Sequence, residues 1–193
     1  TEEGLNRYDG IMIKSYSICP QAAGKYISSL YGTKKNIWIG TDEGIYIYAY
    51  ATETFTYFDL TTPNNVRITS IVNHILQDKD GNLWFSTNGQ GLFRYNLSKN
   101  YLEQYEFTSA FGIVASTMAD SDNQIWALTN QGESGVYKLN KAENKFEPFG
   151  LLYNAGNHHS QALAMLEDSE QTLWLGTWEC GLQKIDKYTR QTT

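Results

Sequence analysis

The sequence is short of the residues that carry several common kinds of chemistry. It has only two cysteines, Cys19 and Cys180, too few for a disulfide framework and without metal-ligand spacing. We expect no bond between them. Histidine is limited to His74, His158 and His159, and no nucleophile–base pair stands out. Turnover needs positioned acid and base groups, so we expect no enzyme, no cofactor and no metal here. Lysines and arginines are scattered rather than clustered, and the formal net charge is −6. That argues against nucleic acid and acidic membrane surfaces as partners. No apolar run approaches the ~20 residues of a membrane helix. Prolines number three. The chain has no initial methionine and no signal peptide, and it opens partway through a repeat. We expect it to be a piece of a longer protein, so a missing leader carries no information on compartment.

What the chain has is aromatic residues (14%), 16 glycines, and one phrase written four times. The copies are Asn36-Ile37-Trp38-Ile39-Gly40-Thr41, Asn82-Leu83-Trp84-Phe85-Ser86-Thr87, Gln124-Ile125-Trp126-Ala127-Leu128-Thr129 and Thr172-Leu173-Trp174-Leu175-Gly176-Thr177. Thr1-Glu2-Glu3-Gly4-Leu5 matches the end of a fifth. The four tryptophans are 46, 42 and 48 positions apart. Such a period signals a solenoid, a propeller or another array.

One repeat shows the physical unit. Residues 71–77 are a short apolar-rich run that suits a buried strand. Asp78-Lys79-Asp80-Gly81-Asn82 is a turn, since Asp and Asn bond their own backbone and Gly81 accepts positive φ. Residues 83–87 form a second strand, 88–91 a turn, and Leu92-Phe93-Arg94-Tyr95 a third strand. A polar loop and an outer strand over 101–107 complete it. Other outer strands are expected at Phe55–Phe58 and Lys145–Phe149. Four antiparallel strands in about 40 residues make one propeller blade. A blade cannot bury its faces alone, so we read the periodic tryptophans as wedges between blades rather than as sugar platforms.

The repeats resemble those of the two-component regulator propeller family. Asp78-Lys79-Asp80-Gly81-Asn82-Leu83-Trp84 and Gly91-Leu92-Phe93-Arg94-Tyr95-Asn96 carry the resemblance, and Gly4-Leu5-Asn6-Arg7-Tyr8-Asp9 fits its latter half. Ala127-Leu128 and Trp178 depart from the pattern. The resemblance implies the periplasmic sensor half of a Bacteroides-type hybrid two-component system, which detects breakdown products of complex polysaccharides. It implies a membrane anchor and a histidine kinase elsewhere in the parent protein. It also implies seven-bladed rings. The expected fold class is therefore all-β, a propeller fragment of about four blades. Residues 1–17 would supply the last two strands of a blade. Residues 26–59, 68–108 and 113–150 would form complete blades, and 160–193 an incomplete last one. Alternatively, the N-terminal tail donates the missing outer strand and closes a four-bladed ring. An open array would expose apolar blade faces, and we expect copies to pair into a homodimer through them.

A ligand belongs on the rim formed by the loops between second and third strands and the connectors between blades. After each repeat threonine come Asp42, Asn88, Asn130 and Trp178. An indole in an exposed turn can stack on a pyranose while Glu179 takes its hydroxyls; equally, Trp178 can fold back on its own blade or touch another chain. The connector contributes Tyr153, His158 and His159, and the turns contribute Asn88 and Gln90. Adjacent histidines without a third ligand do not make a metal site. Asp78-x-Asp80-Gly81-Asn82 imitates a calcium loop, yet position twelve is Gly89, so a β-turn is expected. The sequon at Asn96 matters only in a eukaryotic secretory chain. The leading expectation is a module that binds an oligosaccharide. The alternative is a protein-interaction scaffold, although the Gly-His and Trp-Asp landmarks of WD repeats are missing.

Overall fold

Short apolar strands and Asp/Asn/Gly turns leave the backbone one economical way to satisfy its hydrogen bonds, which is to fold back on itself repeatedly. The computed structural model describes residues 4–18, 26–107, 112–129, 135–151, 162–178 and 181–190, and among these there are strands and no helix. A hairpin comes first, β1 (Leu5–Tyr8) and β2 (Ile13–Tyr16). The next sheet holds β3 (Ile27–Gly32), β4 (Asn36–Thr41), β5 (Gly44–Ala49) and β6 (Thr54–Tyr57). Another holds β7 (Val72–Gln77), β8 (Leu83–Thr87), β9 (Leu92–Asn96) and β10 (Tyr101–Tyr105). Then come β11 (Val114–Ala119), β12 (Ile125–Thr129), β13 (Gly135–Asn140) and β14 (Lys145–Leu151). A three-stranded sheet of β15 (Ala162–Glu167), β16 (Thr172–Thr177) and β17 (Leu182–Asp186) ends the series.

Each sheet is an antiparallel meander in sequence order, as the repeat led us to expect. First strands face first strands: β3 meets β7, β7 meets β11, and β11 meets β15. They form the inner wall of the array, and β6, β10 and β14 lie at its outer edge. A bulge recurs at the start of each first strand, between Ile27 and Ser29, Val72 and His74, Val114 and Ser116, and Ala162 and Ala164. At two of these the blades are stitched together. Ser28 and Ser29 donate to the Val72 carbonyl at 2.8 and 2.6 Å, and the Asn73 amide donates to the Val114 carbonyl at 2.9 Å.

Packing follows from which residue sits on the second strand. Trp38 packs with Phe58 and with Val72, Ile75 and Phe85 of the next blade. Trp84 packs with Val114, Ile125 and Ala127, and Trp126 with Ala162, Leu173 and Leu175. Each of these three indoles therefore covers the face of the sheet that follows, and each such burial contributes about 1.5–3 kcal/mol. At the other end, Leu5 of the hairpin joins Ile39 and Tyr48 of the first full sheet. The repeat glycines are set by backbone needs. Gly44 has φ of 113°, and a Cβ there would lie 2.5 Å from the Ile68 carbonyl. Gly91, with φ of 76°, faces the Tyr105 carbonyl in the same way.

Candidate ligand-binding rim and inner groove

The rim turns between second and third strands are held by the repeat threonines. Thr41, Thr87 and Thr177 donate to the carbonyls of Gly44, Gly91 and Gly181 at 3.0, 2.7 and 2.8 Å. This fixes the direction in which the next side chain leaves the turn. Asn88 leaves it exposed, while its backbone N–H donates to the Ile71 carbonyl at 2.9 Å. Gln90 is committed elsewhere. Its Oε1 accepts from the Thr69 and Ser70 amides at 2.8 and 3.0 Å, and its Nε2 donates to the Arg67 carbonyl at 2.8 Å. Its amide thus clamps the connector into the blade. Trp178 stands out into solvent, 71% exposed, and does not fold back onto its sheet. Tyr153, His158, His159 and Glu179 lie outside the described residues. Among the described residues, no group of three or more His, Cys, Asp or Glu is placed to hold a metal ion.

The opposite rim is a set of clamps rather than a ligand surface. Asp78 accepts the Asn82 backbone amide at Oδ1 (2.8 Å) and the Trp84 indole at Oδ2 (2.8 Å). Asp120 does the same for Gln124 and Trp126 at 2.8 and 2.9 Å, and Asp168 for Thr172 and Trp174 at 2.9 and 2.6 Å. The acidic turn therefore satisfies the indole it precedes, a role that turn chemistry alone did not reveal. The Trp174 indole and then the Thr172 amide hold the Asp168 carboxyl below its ordinary value. Between the last two sheets lies buried Lys187, whose Nζ is 2.7 Å from Glu167, 2.9 Å from Asp122 and 3.6 Å from Asp120. Burial works against its charge. The bonds to Glu167 and Asp122 and the nearby Asp120 outweigh that and raise it above the usual lysine range.

A third feature lies on the inner wall. An open groove of about 420 Å³ runs along β7, β11 and β15, lined in part by His74, Gln77, Ser116, Met118 and Met165. His74 Nδ1 accepts the Thr117 backbone N–H at 3.5 Å. Burial lowers the imidazole below its ordinary value, opposed by that backbone bond.

Sheets meeting along their first strands, with an indole wedge at each seam from β3 to β17, define a segment of a β-propeller. Residues 65–89, the connector and first two strands of the second full blade, match the family described as Two component regulator propeller. No curated protein matches the sequence. Among solved structures, the chain is similar to the extracellular domains of two B. thetaiotaomicron proteins, each assigned as a hybrid two-component system. The first has a TM-score of 0.81 at 22% identity, over 100% of this chain and 25% of that one. The second has a TM-score of 0.78 at 22% identity, over 100% and 27%. Virginiamycin B lyase from Staphylococcus aureus is similar at a TM-score of 0.67 and 18% identity, over 88% and 54%. At these identities the likeness is one of fold. The chain spans about a quarter of the length of the extracellular domains.

Proposed function

We propose that the chain is part of the periplasmic, ligand-sensing portion of a hybrid two-component signalling protein, and that it binds an oligosaccharide without acting on it. The observation that carries this is Trp178. Its counterparts Asp42 and Asn88 are small and polar, whereas Trp178 offers a bare indole face on the rim at 71% exposure. Aromatic faces with polar neighbours suit ligands that are apolar on one side and hydroxylated on the other. The family repeat at 65–89 and the likeness to extracellular domains of two-component proteins support the sensing role. The histidine kinase and the membrane anchor belong to the parent outside this chain. Copies pair through the uncovered face of the last sheet. A ligand then signals only as far as it binds one arrangement of blades better than another.

Calorimetric titration of the intact sensor region with a panel of polysaccharide fragments tests this. The expected result is saturable heat with at least one glycan, weakened by Trp178→Ala. Absence of heat with every glycan overturns the proposal.

A further inference from the structure

We infer that the inner-wall groove is a second part of this site, taking an uncharged, hydroxyl-bearing sugar ring with His74 as a hydrogen-bond donor. The inference rests on the sensing function proposed above and goes further, since it fixes where a sugar unit sits and which sugars are refused. The groove, about 420 Å³, falls within the range of small-molecule sites. Its wall is built from first strands of three successive sheets, so a ligand there touches three blades at once.

The donors and acceptors are of mixed sense. His74 Nδ1 already accepts the Thr117 N–H, so the neutral ring carries its proton on Nε2 and presents a donor. Gln77 Nε2 donates to the Gly81 carbonyl at 3.1 Å, leaving Oε1 as an acceptor. The Ser116 hydroxyl serves in either sense. Sugar hydroxyls donate and accept together, and this trio matches them. Met118, Met165 and Ala164 supply an apolar wall for the C–H face, and methionine adapts its shape to what it meets.

Charge narrows the ligand class. The chain has a net charge of −6, yet none of the described residues lining the groove carries a charge. A uronate or an ammonium sugar would lose water there without gaining a counter-charge. The strand β15 that walls the groove also leads to the Trp178 turn. Ala164 pairs with Gly176 and Ala162 with Thr177, which directly precedes Trp178.

Methionine-methyl NMR tests this on the whole chain, because the three methionines report separately. Met118 and Met165 line the groove, and Met12 sits exposed at the turn of the first hairpin. Neutral oligosaccharides and their uronate counterparts would be titrated in turn. The expected result is that neutral glycans shift Met118 and Met165 and leave Met12 unmoved, while uronates shift none. His74→Phe, which keeps a ring but removes the donor, should weaken neutral-glycan binding about tenfold, and His74→Gln should restore part of it. Glycan binding that leaves both groove methyls unmoved overturns the groove while the sensing role stands. Equal shifts with uronates overturn the claim of an uncharged ligand. Absence of binding by any glycan removes the sensing role itself. If His74→Phe fails to fold, the wild-type methyl shifts still decide.

Discussion

The indole nitrogen of Trp38 is buried without an acceptor, because Thr33 stands where the other blades place an aspartate. Thr33 N–H donates to the Asn36 carbonyl at 2.8 Å, as Asp78 N–H does to Asn82 at 2.9 Å. Its Oγ1 accepts the Asn36 amide at 3.0 Å, as Asp78 Oδ1 accepts that of Asn82. One oxygen meets the turn's need. A second oxygen, the one that reaches Trp84, Trp126 and Trp174, does not exist on threonine.

Thr33→Asp should therefore stabilise the chain. An unsatisfied buried donor costs about 1–3 kcal/mol, and a restored bond returns a net ~1 kcal/mol. For a chain of this length that is a rise in Tm of about 2–4 °C. Thermal unfolding followed by circular dichroism is the check. An unchanged or lower Tm would mean that the carboxylate does not reach the indole.

The tryptophans themselves should divide by burial. Trp84→Ala and Trp126→Ala remove fully enclosed wedges and should cost about 3–5 kcal/mol each. Trp178→Ala removes an exposed side chain and should change stability by less than about 0.5 kcal/mol. Urea denaturation of the three variants separates wedge from platform. A large loss at Trp178 would remove the basis for reading it as a ligand surface.

Much of this was legible in the sequence because it is local. The tryptophan period fixed four sheets, and the Asp/Asn/Gly turns fixed where their strands end. The aspartate clamp was also within reach, since Asp78, Asp120 and Asp168 each precede an indole by six positions. Features built by distant residues were not legible. Lys187 reaches Asp122 across 65 positions, and nothing local to Lys187 marks it as buried. The groove joins residues 74, 116 and 165 from three repeats, at positions with no shared motif. Gln90 reads in the sequence as a rim amide, and only the fold brings the connector it clamps, 67–70, beside it.

Lys187→Met should destabilise the seam between the last two sheets. It leaves Asp120 and Glu167 enclosed without their cation. Breaking an enclosed pair costs ~3–5 kcal/mol; Asp122 lies open to water and is screened, so we expect about 2–3 kcal/mol. Amide hydrogen exchange should rise first in β15 to β17. Uniform loosening of all sheets would argue against a local latch.

Acid should weaken the fold in two stages. Burial keeps the His74 imidazole below its ordinary 6.5, so the folded state favours the neutral ring. Below that pH the unfolded chain takes up a proton that the folded chain resists, and stability falls. The Asp168 and Asp122 carboxyls lie below their ordinary 3.8, held by the Trp174 indole and by Lys187 respectively. Their contribution is complete above 3.8 and is lost as pH falls through their lower folded values. A plot of Tm against pH should show both declines, and His74→Gln should flatten only the upper one. An upper decline that survives this change would assign it to another group.

The last sheet carries a copy of the wedge face, and among the described residues no sheet packs on it. Ile45, Leu92 and Val136 follow the repeat glycine in their strands and are wholly enclosed, whereas Leu182 in the same place is 65% exposed. Trp174 beside it is only half-buried, and Leu166, paired with Trp174 across the ladder, is exposed. An apolar face of this kind drives association in water. Sedimentation velocity of the chain at high concentration should show a dimer, and Leu182→Glu should shift it to monomer with stability changed by less than about 0.5 kcal/mol. The charge would sit on the seam in the dimer but in water in the monomer, so only association should respond. A wild-type chain that stays monomeric at high concentration would rule this pairing out.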